Sequence, residues 1–371
     1  MASLLDAAQV RHVTSGRIAI ALALREMGVG PGDLVLVPAY HSRSMIPPVL
    51  WRGATPLFYR VGADAMADIA DITAKLGPRV KALMVTHYFG FAQDLTRLRA
   101  LCDRHGVALL EDCAHALLGE HAGAPLGSFG DYAIGSSMKF YPIYEGGCLS
   151  STRHALDRVQ LRSAGAGFEA KAALAALEQA FAYGRLGWLR AVLALPLALK
   201  DRLWGAIKQR RSAGAGAETP AASALTPSSS DSSYDFDPAW IDKRASLFSR
   251  LMLRLVSRRR VGALRRRHYA RYAQALAGLP GCRPLHAALP DGCCPWLFPL
   301  LVDDPERLFA LMVAGGVPVA RFAETLWDGV DAGVCANSVL LSRGVLGFPC
   351  HQALREDELA WIIARVQAAM A

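Results

Sequence analysis

Apolar and polar positions fall into alternating blocks along the first half of the chain. Ile18, Ala21, Leu22 and Met27 recur at helical spacing within residues 16–28, and Gly30-Pro31-Gly32-Asp33 makes the turn that follows. Residues 34–37 are a short apolar run stopped by Pro38, which reads as a strand. A helix over 47–52 and the turn Gly53-Ala54-Thr55-Pro56 lead to a strand at 57–59. Strands at 80–86 and 107–110 flank a helix at 95–105, and a further strand covers 132–136. Strands alternating with helices predict an open, mostly parallel α/β sheet. Ligands of such sheets sit at the carboxyl ends of the strands, which directs attention to residues 38–44, 87–90 and 111–115.

The second half reads differently. Residues 168–209 form a long helical region containing Pro196, which kinks or splits it. Residues 211–233 are rich in Ala, Gly, Ser and Pro and carry too little bulky apolar surface to fold alone, so a flexible loop is expected there. Residues 240–278 are strongly helical. Then come a strand at 297–302, a helix at 305–314, a strand at 317–319 and a last helix at 356–370. The expected layout is a large α/β domain over 1–235, with a helical insertion and loop at about 153–233, and a smaller α+β domain over 236–371.

Composition narrows the class. With 371 residues, 53% hydrophobic and 20% charged, the chain is not disordered. Its longest apolar run, 191–199, falls short of the ~20 residues of a membrane span. The N-terminus has no basic start and no continuous apolar run, so a cytoplasmic protein is expected. None of the eight cysteines forms a C-x-x-C pair, so free thiols and no metal site are expected. The net charge of +9 comes from one segment: residues 151–271 hold 22 basic and 9 acidic residues. That surplus suits an anionic partner or a solvated helix face. No nucleic-acid motif accompanies it and no aromatics interleave with the arginines, so nucleic acid is not expected. Trp188, Leu189, Leu193, Leu197 and Trp204, flanked by arginines and lysines, leave a peripheral membrane contact through 185–208 open beside ordinary packing.

The chemistry concentrates in residues 108–150. Asp112 closes a buried strand. Lys139 follows 27 residues later among apolar neighbours, with Ser136 one turn before it and Gly146-Gly147 shortly after. A lysine in apolar surroundings loses basicity, and a neutral amine can form a Schiff base. A buried aspartate can keep a pyridinium nitrogen protonated. Together these are the requirements of a pyridoxal 5'-phosphate (PLP) site. A surface lysine and an ordinary strand-terminal aspartate answer to the same description.

The order of landmarks resembles the DegT/DnrJ/EryC1/StrS sugar aminotransferases. Ser15-Gly16-Arg17 and Gly30-Pro31-Gly32-Asp33 are similar to the opening of that family. Pro38, Gly53–Pro56, His87-Tyr88-Phe89-Gly90, Glu111-Asp112-Cys113-Ala114-His115-Ala116, Gly127-Ser128-Phe129-Gly130-Asp131, Lys139 and Glu145-Gly146-Gly147 follow in family order. The resemblance covers residues 14–150 well and 234–371 more loosely. It implies the aspartate aminotransferase-like (type I) PLP fold and a homodimer. It also implies transfer of an amino group from glutamate to a nucleotide-linked keto-sugar, for polysaccharide or natural-product assembly. By the resemblance, Lys139 bonds the cofactor and later moves the proton. Asp112 pairs with the ring nitrogen, Ala114 packs under the ring and His115 reaches the ring hydroxyl. Gly16, the Arg17 amide and Ser136 hold the phosphate.

The departures are specific. Arg17 stands where the family has Thr. Ser42 stands where it has a stacking aromatic, so His41 or Tyr40 is expected to take over. The 134–139 stretch is short, and the family's Asn-bearing substrate loop is replaced by residues 153–233. A branch of dehydratases carries His in place of the lysine, and Lys139 argues against it. Another PLP-dependent reaction on a non-sugar or lipid-linked substrate, or a non-catalytic sensor of the same fold, stays open as an alternative.

Overall fold

The computed structural model describes residues 1–193 and 236–370. Its first unit holds β1 (Gln9–Val13), β2 (Leu34–Pro38), β3 (Thr55–Tyr59), β4 (Val80–Thr86), β5 (Ala108–Asp112), a small hairpin of β6 (Glu120–His121) and β7 (Ala124–Pro125), β8 (Tyr132–Ser136) and β9 (Gly147–Ser151). Seven of these form one sheet in the order β1-β9-β8-β5-β4-β2-β3. The five strands from β8 to β3 run parallel, and β9 and β1 close one edge antiparallel. The central sheet is therefore mostly parallel, as the alternating pattern predicts. β2 has β3 on one side and β4 on the other, which makes a topological switch point between β2 and β4. In register, Thr86, Asp112 and Ile134 lie level across β4, β5 and β8, so the ends of these strands open on one crevice.

The helices α1 (Gly16–Glu26), α2 (Ile46–Trp51), α3 (Ile69–Lys75) and α4 (Leu95–His105) connect the strands. Ser15 starts α1 by accepting the Ile18 N–H, and Ile18 to Leu24 are all buried against the sheet. Beyond β9 lie α5 (Ala166–Ala182) and α6 (Gly187–Val192). The long helix expected at 168–209 is interrupted here: Gly184 and Leu186 both adopt positive φ, which no α-helix accommodates. Trp188, on α6, is 71% exposed. Residues 194–208 of the expected membrane-facing stretch, Pro196 and the whole 211–233 loop lie outside the described residues. Among the described residues no helix is long and apolar enough to cross a membrane.

From Phe236 the described chain first stays against the first sheet. Arg244 bridges Val13, and the Ser246 N–H donates to Glu145 Oε1. Then follow α7 (Leu247–Leu255) and α8 (Arg258–Ala275). The helical stretch expected over 240–278 thus holds two helices, because Ser257 leaves helical geometry and caps α8 by accepting the Arg260 N–H. The second unit adds β10 (Cys282–Pro284), β11 (Leu297–Val302), α9 (Pro305–Ala314), β12 (Ala320–Arg321), α10 (Ala332–Gly344), β13 (Val345–Pro349) and α11 (Glu356–Met370). Its four strands form an antiparallel sheet in the order β10-β11-β13-β12. The strand expected at 317–319 forms instead at 320–321, where pairing with β13 is available. One apolar core runs through both units, from Leu36 and Tyr88 to Phe298 and Leu346.

Candidate active site

The crevice at the ends of β4, β5 and β8 is a cavity of about 240 Å³. Of the eight residues singled out in the sequence, Gly16, Arg17, Asp112, Ala114, His115, Ser136 and Lys139 line it. Asp112 is the last residue of β5 and is fully buried. Its Oδ1 accepts the Ala114 N–H at 2.9 Å and its Oδ2 the Thr86 hydroxyl at 3.3 Å. Burial raises its carboxyl above the ordinary range. The Ala114 amide, the Lys139 charge, His87 and the Thr86 hydroxyl act against that rise.

Lys139 ends a single 3-10 turn, Ser137–Lys139, that follows β8 directly. Burial pushes its amine down to about 8, while the Asp112 charge works in the opposite direction. Among the described residues its ammonium makes no hydrogen bond; it lies 4.5 Å from the centre of the Trp296 indole. His115 stacks on the same indole, with centroids 3.8 Å apart, and meets Phe322 edge-on at 4.6 Å. Burial first, and the Lys139 charge second, keep His115 neutral. Its Nδ1 accepts the Phe89 N–H at 3.4 Å, which assigns the ring proton to Nε2.

The N-terminus of α1 forms the opposite wall, with Ser15, Gly16 and Arg17 on the cavity. β9 can pass close to it only because residue 147 is glycine. A Cβ there would lie 2.4 Å from the Ser15 carbonyl carbon and 2.7 Å from the Gly16 nitrogen. Ser136 and the pair Ser42–Ser44, whose hydroxyls are 2.9 Å apart, add hydroxyl groups to the cavity and its rim.

His41 departs from expectation. Its ring is wholly buried away from the cavity, stacked on Phe58 at 4.9 Å. Nδ1 bonds the Ala39 carbonyl at 3.0 Å and Nε2 accepts the Trp327 N–H at 3.0 Å. The turn after β2 directs residue 41 toward β3 and puts Ser42 and Ser44 on the cavity instead. Tyr40 is also buried, between Tyr88 and Phe322. The aromatic rings that do face the cavity, His115 and Phe322, include one from the second unit. Phe322 and Trp296 are functional candidates that sequence reasoning missed, because nothing in their local pattern distinguishes them from core residues.

The 87–90 stretch braces the site rather than lining it. His87 Nε2 bonds Glu111 at 3.1 Å, and its Nδ1 accepts the Gln93 N–H. Phe89 holds a positive φ of 56° while its carbonyl accepts the Trp296 N–H at 2.8 Å. Donor atoms of His87, Glu111 and Cys113 lie within 4.8 Å of one another. Glu111 is already committed there: it accepts the N–H groups of Gly127, Phe129 and Gly130. The cluster therefore anchors the loop before β8, which leaves little for a metal ion.

The donor set fits PLP. One crevice offers an amine of reduced basicity, a buried carboxylate, a neutral imidazole, and hydroxyls beside a helix N-terminus, where backbone N–H groups favour an anion.

Comparison with known proteins agrees. The profile of the DegT/DnrJ/EryC1/StrS aminotransferase family matches residues 1–177. The chain is 40% identical over 129 residues to a UDP-N-acetyl-3-dehydro-alpha-D-glucosamine 3-aminotransferase of Acidithiobacillus ferrooxidans, covering 34% of each chain. It is 35% identical over 127 residues to the GDP-perosamine synthase of Vibrio cholerae, covering 33% of this chain and 35% of that one. These matches span about a third of the relatives' length. Over nearly the whole chain the fold matches that of DesV from S. venezuelae (TM-score 0.66, 22% identity, 99% of this chain and 86% of that one). It also matches an aminotransferase from Psychrobacter cryohalolentis (TM-score 0.68, 17% identity, 98% and 88%). The fold is the type I fold of these aminotransferases, and residues 1–177 are similar to the DegT/DnrJ/EryC1/StrS aminotransferase family.

Proposed function

We propose that the protein is a PLP-dependent aminotransferase that moves an amino group from glutamate to a keto-sugar, in nucleotide-linked form. The observation that carries this reading is that Lys139 and Asp112 line one cavity beside the α1 N-terminus, close enough for the carboxylate charge to act on the amine. The names of the relatives, a dehydro-glucosamine aminotransferase and a perosamine synthase, support the substrate class.

Bound PLP would supply an electron sink for the bonds around the substrate's amine-bearing carbon. The chain's own residues would do the rest. Lys139, with basicity lowered by burial, offers a neutral amine as nucleophile and later takes and returns the proton at that carbon. Asp112, held by Ala114 and Thr86, keeps a negative charge against the ring nitrogen. His115 presents Nε2–H as a neutral donor to the ring oxygen. Gly16, Arg17 and Ser136 hold the phosphate, and Ala114 packs beneath the ring. Phe322 and Trp296 close the site from the second unit and exclude water. The division between the two units falls near Ser257 in this reading, since residues 236–256 stay against the first sheet. A homodimer, a cytoplasmic location and a peripheral membrane contact through 185–208 belong to the same proposal as expectations.

The test is the visible spectrum of the purified protein with added PLP, beside Lys139→Ala. A yellow band in the wild type, absent in the variant and bleached by glutamate, is expected. A wild type that develops no band in excess PLP overturns the reading.

A further inference from the structure

We infer that Arg265 and Gln352 are positioning residues for Lys139, a pair from the second unit that clamps the turn from which the reactive amine projects. This rests on the role given to Lys139 above.

Arg265, on α8, is 1% exposed. Its Nη2 donates to the Lys139 carbonyl at 2.8 Å, its Nη1 to the carbonyls of Pro295 and Trp296 at 3.1 and 3.0 Å, and its Nε to Gln352 Oε1 at 2.9 Å. Gln352 in turn donates from Nε2 to the Phe140 carbonyl at 2.7 Å. The guanidinium lies 4.6 Å from the centre of the Phe140 ring. Two successive carbonyls of the lysine-bearing turn are thus held by one bonded pair. The Trp296 backbone, whose indole faces both the Lys139 ammonium and His115, is held by the same cation.

The chemistry of the clamp argues for position rather than for stability. Burying a guanidinium is costly, and among the described residues no carboxylate pairs with this one. Burial accordingly lowers its affinity for its proton. A well-packed apolar side chain would hold α8 in place at less cost. Only a planar fork with fixed N–H directions reaches four acceptors on three segments at once; a lysine ammonium has three donors on a single point. The 3-10 turn is short, and within it Ser137 accepts the Phe140 and Tyr141 N–H groups while the carbonyls of 139 and 140 go to the clamp. A displacement of the amine by about 1 Å is enough to cost on the order of a hundredfold in reaction rate.

The experiment compares Arg265→Lys and Gln352→Leu with wild type in the full-length chain, using two probes. PLP must bond Lys139 to be captured. Pyridoxamine 5'-phosphate carries the same ring and phosphate but forms no bond to the lysine. The clamp predicts that the second-order rate of PLP capture falls at least about tenfold while the pyridoxamine phosphate Kd stays within about twofold. It also predicts that backbone amide exchange over residues 137–146 quickens by about tenfold or more in a protein that still melts cooperatively. Equal weakening of both ligands would mark a merely structural role and overturn the proposal, as would unchanged capture and exchange in folded variants. If Arg265→Lys does not fold, Gln352→Leu, which leaves the guanidinium in place, carries the test; failure of both to fold counts against the clamp. A wild type that binds neither ligand overturns the cofactor reading instead, and the exchange measurement then judges the clamp alone.

Discussion

The Lys139 ammonium lies 4.5 Å from the centre of the Trp296 indole, although one residue belongs to the turn after β8 and the other to the segment entering β11. An indole face stabilises a nearby cation by roughly 0.5–2 kcal/mol. The indole therefore partly offsets the burial that lowers the basicity of this amine, and it ties the amine to His115 through a shared ring contact.

Trp296→Leu removes that support. The amine, which burial already pushes down to about 8, then gives up its proton more readily, and the midpoint of the pH profile for PLP capture is expected to lie below that of the wild type. Stopped-flow capture rates across pH 6 to 10, a range of about two units either side of the midpoint, check this. An unchanged or raised midpoint would show that the indole does not sense the charge.

Lys139 also costs the cofactor-free protein stability. Its folded-state pKa, about 8, lies below the ordinary 10.5. Below pH 8 both states carry the proton and the folded state bears the full cost, roughly 3 kcal/mol from the size of the shift. Between 8 and 10.5 the folded state has released the proton and the unfolded state has not, so stability rises with pH. Lys139→Met should therefore exceed wild type in stability at pH 7, and the gap should close toward pH 10.5. Urea unfolding of both proteins at several pH values measures it; a gap that widens with pH would refute the assignment.

Gly147→Ala drives a Cβ to 2.4 Å from the Ser15 carbonyl carbon. The opposing atoms are backbone, so no rotamer change relieves the clash, and β9 must part from the α1 N-terminus. A destabilisation of about 2 kcal/mol is expected. Binding of PLP and pyridoxamine phosphate should weaken together, by about tenfold, because both use the phosphate end. Thermal melts and ligand titrations test the two effects separately; normal affinity for both ligands would show that the phosphate does not sit there.

Much of the site is legible in the sequence alone. Asp112, Lys139 and Ser136 stand at strand ends and turns whose spacing is local, and the parallel register of β4, β5 and β8 carries them onto one crevice. The place of His41 is not legible there. Whether residue 41 or residue 42 faces the cavity depends on how the chain turns after Pro38, and His41 is claimed by Phe58 and by the Trp327 amide 286 residues away. β1 and β9 leave no clear local signal for a related reason. They are short, and they become strands by pairing with each other across the chain, from Gln9 with Ser151 to Val13 with Gly147.

The sequence by itself determined the alternating layout, the positions where that layout ends its strands, and the amine and carboxylate that stand there. These follow from periodicity and turn chemistry, which act over a few residues. Tertiary structure alone decided what the second unit brings against the site. Trp296, Phe322, Arg265 and Gln352 come from the second unit, and each would read as an ordinary core or surface residue in its own segment. Contacts between residues more than a hundred positions apart are set by the packing of two sheets into one core, which no local pattern records.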